Sequence, residues 1–65
     1  MNVYRITIWQ DHSHYVNGHR EEFDVRAPTA FVALKKALTA ARRNGFQRSK
    51  PLEVETVQRV ASDVI

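Results

Sequence analysis

Residues 28–45 read Pro28-Thr29-Ala30-Phe31-Val32-Ala33-Leu34-Lys35-Lys36-Ala37-Leu38-Thr39-Ala40-Ala41-Arg42-Arg43-Asn44-Gly45, and the fold turns on this stretch. Phe31, Leu34, Leu38 and Ala41 recur at helical spacing with Ala30 and Ala37 beside them. Lys35, Lys36, Thr39, Arg42 and Arg43 fall on the opposite side. Pro28 stops whatever precedes it, and the Thr29 hydroxyl can accept a hydrogen bond from a free amide of the first turn. Gly45 suits the left-handed backbone that closes a helix, and Arg42 and Arg43 sit where the helix dipole favours cations. One amphipathic helix is predicted from Ala30 to Asn44.

The flanks alternate with the period of strands. Tyr4, Ile6 and Ile8 oppose Val3, Arg5, Thr7 and Trp9, and β-branched and aromatic types dominate, which predicts a strand from Val3 to Gln10. Residues 11–18 carry Asp, Ser, Asn and Gly and read as a hairpin loop. From His19 to Ala27, Phe23 and Val25 oppose Glu22, Asp24 and Arg26, so a second strand returns antiparallel. After a polar connection closed by Pro51, Leu52, Val54 and Thr56 oppose Glu53, Glu55 and Val57, which predicts a third strand. In the tail Val57, Val60, Ala61 and Val64 have helical spacing, so a short helix, a prolonged strand or a partner-seeking segment is open; the strand running on past Arg59 and then fraying is the one expected. Phe46 is placed to fold back onto the helix end.

Strand, strand, helix, strand admits few arrangements. A helix between the second and third strands makes them parallel, and a right-handed crossover lays the third beside the first. The expected fold class is α+β: a single small β-β-α-β domain over residues 1–65, with a three-stranded antiparallel sheet in order 2-1-3 and one helix on one face. Tyr4, Ile6, Ile8, Phe23, Val25, Leu52 and Val54 should meet Phe31, Leu34, Leu38 and Ala41 in the core. The other face is left with Val3, Arg5, Thr7, Trp9, Glu22, Asp24, Arg26, Glu53, Glu55 and Val57, mostly charges of both signs.

Composition bounds the chemistry. The chain has 65 residues, 43% apolar and 26% charged, with a formal charge of +3. A domain of this size buries only roughly 60% of the surface its unfolded chain exposes, so a second copy would add welcome apolar burial. With no cysteine, disulfides, thiolate metal sites and cysteine nucleophiles are excluded. No apolar run approaches the ~20 residues that cross a bilayer, and the N-terminus shows no export signal. A cytosolic location is expected, in a bacterial cell or a phage-infected host, with no membrane association.

Three constellations stand out. Trp9, with Val3 and Val57, lies on the uncovered face and is the candidate protein interface, because a tryptophan among charges can anchor a contact. Lys35, Lys36, Arg42, Arg43, Arg48 and Lys50 form a basic stripe with no acid between Asp24 and Glu53, a candidate patch for an anionic partner such as nucleic acid. No aromatic residue interleaves the stripe, so base stacking on it is not supported. Asp11, His12, His14 and His19 share ligand types with zinc, nickel or copper sites. They lie in a turn with no second cluster to orient them, and no metal site is assigned.

Residues 33–41, Ala33-Leu34-Lys35-Lys36-Ala37-Leu38-Thr39-Ala40-Ala41, resemble the final helix of double-stranded RNA-binding domains in carrying a Lys-Lys step and an Ala-Ala pair. In that family the lysines open the helix after a Gly-rich turn and the helix closes the domain. Here they come in the second turn and a strand follows, so no family is assigned on this basis.

No glycine elbow surrounds Ser13 or Ser49, and no Gly-rich phosphate loop or dinucleotide fingerprint occurs. The expected function is therefore non-enzymatic: a small accessory module acting through protein contacts, including those of a homodimer, with nucleic-acid binding by the helix stripe and metal capture by the histidine loop as alternatives. No cofactor and no small-molecule substrate are expected.

Overall fold

The computed structural model describes residues 1–11, 16, 18–46 and 49–62. Strand β1 (Asn2–Gln10) is followed by β2 (His19–Ala27), helix α1 (Ala30–Arg43) and β3 (Glu53–Ser62). The sheet has the order β2-β1-β3, and both pairings to the central β1 are antiparallel. The expected fold class is therefore the observed one.

Each end of α1 has a physical cause. Thr29 is extended, with φ −138°, and its Oγ1 accepts from the Val32 amide at 3.3 Å while its carbonyl accepts from the Ala33 amide. At the far end the Asn44 amide donates to the Ala41 carbonyl, and Gly45 takes φ +91°, the left-handed backbone that favours glycine. The helix ends at Arg43, one residue before the predicted limit.

The two edges of the sheet differ in regularity. β2 pairs with β1 without interruption from Asn2↔Ala27 to Gln10↔His19. β3 pairs with β1 in three segments, because Thr7 faces Thr56 while Ile8 faces Val54, leaving Glu55 as an extra residue, and Val3 faces Ala61 while Tyr4 faces Arg59, leaving Val60 as a second. Each extra residue shifts the side-chain alternation by one step. The sequence reading carried strict alternation through β3 and so put Val57 on the uncovered face. The register corrects this: Val57 stands opposite Ile6 and faces the helix side, and Thr56, opposite Thr7, takes the uncovered side.

The core is built around Tyr4, Ile6, Ile8, Ala27, Ala33, Ala37, Ala41 and Phe46, with Phe23, Val25, Val32, Leu34, Leu38 and Leu52 packed partly buried against it. Two expected core members lie elsewhere. Phe31 is 66% exposed and Val54 is 39% exposed. Both follow from the helix's seat: it rests on the line Ala33, Ala37, Ala41, whose small side chains allow a close approach, and Phe31 lies about 120° round the helix from that line at 100° per residue. Phe46 folds in beneath the helix end as expected, its ring stacked on the His19 imidazole at 4.3 Å.

A buried polar tie closes the third side. Gln10 is fully buried at the end of β1, and its Nε2 donates to the Lys50 carbonyl at 3.0 Å. This bond fixes where the connection from α1 turns into β3. Gln10→Ala removes the donor and leaves a cavity, a loss of about 1–3 kcal/mol, which for a domain this small lowers Tm by roughly 4–8 °C per kcal/mol. Thermal melts followed by circular dichroism should show that drop, while Phe31→Ser stays close to wild type; equal, small effects of both substitutions would refute the anchoring role of Gln10.

Candidate functional site

The uncovered face of the sheet is a lattice of matched charges. Arg5 Nε and Nη2 donate to the two oxygens of Asp24 at 3.0 and 3.3 Å, and Glu22 lies 3.9 Å from Arg5 Nε. Arg20 on β2 reaches Glu55 on β3 at 2.8 Å, linking the two outer strands over β1. The pair passes beside Thr7, which is only 7% exposed although no helix covers that side. The hydrogen bond from Arg5 holds the Asp24 carboxyl below its ordinary value, with the charge of Arg5 adding to the effect and partial desolvation opposing it.

Trp9 belongs to this lattice. It stands opposite Arg20 and Glu53, and its indole lies so close over Gly18 that a Cβ there would overlap the ring. Gly18 also has φ +77°, so glycine is required twice over at the hairpin. The three residues singled out as an interface are not brought together. Val3 sits near the other end of β1, about 20 Å from Trp9 at 3.4 Å per residue, and Val57 projects from the other face.

The basic stripe divides between two flanks of α1. Lys36 Nζ donates to the Arg26 carbonyl on β2 at 3.2 Å, and Lys35 Nζ lies 4.7 Å above the Phe31 ring. Lys35, Lys36 and Arg43 line, with Thr39 and Ala40, a shallow depression of about 310 Å³ on the outer surface of the helix. Arg42 is exposed. Lys50 stands apart at the end of the sheet, with Nζ 3.9 Å from Asp11. Arg48 lies outside the described residues.

Of the suggested metal ligands, His12 and His14 also lie outside the described residues. Asp11 is mostly exposed beside Lys50, and His19 is stacked on Phe46 with Nε2 3.6 Å from Glu21. No group of three or more potential ligands occurs among the described residues. Nor is any helix among them long and apolar enough to cross a membrane.

The sequence places the cations on the helix side and the acids on the strands, loop and tail, and the structure resolves this into a separation of charge by face. Among the described residues, Glu22, Asp24, Glu53 and Glu55 belong to the uncovered face with Arg5, Arg20 and Arg26. The helix side carries Lys35, Lys36, Arg42 and Arg43 on α1, together with Arg59, which stands opposite Tyr4; Glu21, opposite Ile8, is the acid there. The acid-free segment between Asp24 and Glu53 signalled half of this. The rest depended on the bulge at Glu55, which brings Arg59, opposite Tyr4, to the helix side. Comparison with protein-family models, characterised proteins and solved structures finds no match to this chain.

The Asp24 carboxyl gives a pH dependence with a definite sign. Its folded-state pKa lies below the ordinary value of 3.8, so the folded form is favoured above that pH and the advantage is lost as pH falls through the lower, folded-state value. Melting temperature should therefore decline below about pH 4, and the decline should be shallower in Asp24→Asn. Parallel curves for the two proteins would show that the Arg5 pair does not contribute. In the hairpin, Gly18→Ala should lower Tm through displacement of the indole and strained backbone, with the Trp9 fluorescence maximum shifting to longer wavelength as the ring leaves its seat; an unchanged maximum and melt would remove the close-packing argument.

Proposed function

We propose that this protein is a small non-enzymatic binding module that acts by contact with another protein, and that the contacting surface is the helix side of the domain. One observation carries the reading. On that side exposed apolar groups, Phe31, Val54 and Val57, stand among cations that have few acids near them. An apolar surface left in water beside one sign of charge is the usual make-up of a recognition surface. The opposite face lacks this character, since its Arg5 and Arg20 already have carboxylate partners and rim ion pairs of that kind add little to binding.

A second reading is favoured by the depression lined by Lys35, Lys36 and Arg43, which suits phosphate and hence nucleic acid. The two differ in what removes binding. Affinity capture from the protein's own cells, with nuclease treatment and with Val57→Asp and Lys36→Glu/Arg43→Glu as parallel baits, separates them. Under the favoured reading a nuclease-resistant protein is retained by the wild type, at least tenfold less by Val57→Asp. Nuclease-sensitive retention abolished only by the charge reversal would support nucleic acid instead, and retention of neither would reject both.

A further inference from the structure

The helix does not sit over the middle of the sheet. Lys36 touches the backbone of β2, and Ala33, Ala37 and Ala41 form the buried line. At 100° per residue, Lys36 lies about 100° to one side of that line, whereas Leu34 and Leu38 lie about 60° and 100° to the other. The side that bears Lys36 is the β2 side, so Leu34 and Leu38 overhang toward β3. There they are only partly buried. Below them, Val54 and Val57 face the same side from β3, opposite Ile8 and Ile6, and remain 39% and 42% exposed.

Leu34, Leu38, Val54 and Val57 thus mark an incompletely covered apolar strip between α1 and β3, here termed the trough. Phe31 lies beyond Leu38 on the same flank of the helix, 66% exposed. Helix α1, which forms one side of this strip, has 14 residues and spans about 21 Å.

Resting on the reading just given, we propose that this trough receives an amphipathic helical segment of a partner protein, with apolar anchors at i, i+3 or i+4 and i+7 and acidic residues along its flanks. Charge selects the occupant. Lys35 and Arg42 lie on the outer border of α1 and Arg59 projects from β3 on the helix side, and α1 contains no acid. A second copy brought face to face would oppose these cations to one another, which disfavours self-association here. An extended peptide added to the β3 edge meets the irregularities at Glu55 and Val60, which interrupt a regular ladder. A helix needs no backbone pairing; it needs exposed apolar groups and complementary charge, which Val54 and Val57 together with Lys35, Arg42 and Arg59 supply. Apart from Phe31, whose ring already carries Lys35 Nζ 4.7 Å over one face, the walls are aliphatic and offer bases nothing to stack on, so nucleic acid fits this trough poorly.

The test uses the full chain, labelled with nitrogen-15, and a synthetic peptide of about 15 residues with Leu at helical anchor positions and Glu at most others. The comparison probes are the same peptide with Lys for each Glu and a short DNA duplex. The acidic peptide should shift the amide signals of Leu34, Leu38, Val54, Val57 and Arg59, and the affinity should fall as salt is raised. Val57→Asp should weaken it at least tenfold, and Arg59→Glu, an exposed change that spares the core, should weaken it several-fold while Trp9→Ala leaves it unchanged.

The proposal is overturned if the basic peptide binds as tightly, if the shifts fall on another surface, if no shift appears at millimolar peptide, or if the duplex alone moves these signals. Dilution-dependent shifts of the same residues in the protein without peptide would assign the trough to a second copy and equally overturn it. Capture of a partner protein that depends on Val57, together with failure of the acidic peptide, would leave the binding module standing and remove only this partner chemistry.

Discussion

The close seating of α1 on β1 and β2 through Ala33, Ala37 and Ala41 governs the rest of the structure. Small side chains let the helix backbone approach the sheet, and the methyl-lined contact excludes water completely at all three positions. A helix with its side chains is about 10–12 Å across, and three strands at about 4.8 Å spacing are wider than that once their side chains are counted. One helix can therefore cover two strands well or three poorly. The tie from Lys36 to the Arg26 carbonyl shows which pair is chosen, and β3, every residue of which is at least partly solvent-accessible on its outer side, is what remains.

Charge distribution follows from the same seating. On the uncovered sheet face, strands bring opposite charges side by side, and Arg5 with Asp24 and Arg20 with Glu55 cancel locally. Exposed pairs of this kind contribute about 0–1 kcal/mol each. Their larger effect is to specify register, because a slip by one residue would bring unlike partners out of line. The helix has no opposite strand to supply acids, so its cations stay uncompensated and their field adds to that of Arg59. Among the described residues the excess of positive charge consequently lies on the helix side.

Much of this was legible in the sequence, for identifiable reasons. Thr29 and Gly45 marked both helix ends by their capping chemistry, and the alternation of β1 and β2 was unbroken, so the strand order followed from chain connectivity. Three things were not legible. Ala41 was read into the core with Phe31, Leu34 and Leu38, but Ala37 was read only as a neighbour of that face and Ala33 not at all, whereas close packing of the helix rewards these small residues over Phe31. The bulges at Glu55 and Val60 have no glycine or proline to announce them, and each one inverted the faces assigned beyond it, as Val57 illustrates. The seat of the Trp9 indole on Gly18 depends on a contact between β1 and the hairpin turn that no spacing rule encodes.

The irregularity of β3 also explains how a small domain can keep an accessible edge without presenting a flat template for stacking. A straight strand rich in valine at a sheet edge invites pairing with any other strand. At Glu55 the extra residue places a carboxylate across the sheet in the ion pair with Arg20, and at Val60 a second interruption follows after a regular stretch of only a few residues. The edge is thus broken twice along its length, while the helix-side valines keep a common orientation because the first bulge restores Val54 and Val57 to one face. The device that blunts backbone pairing is the one that brings Val54 and Val57 to one face. Under the proposed reading, such a surface favours partners that present side chains over partners that recognise main chain.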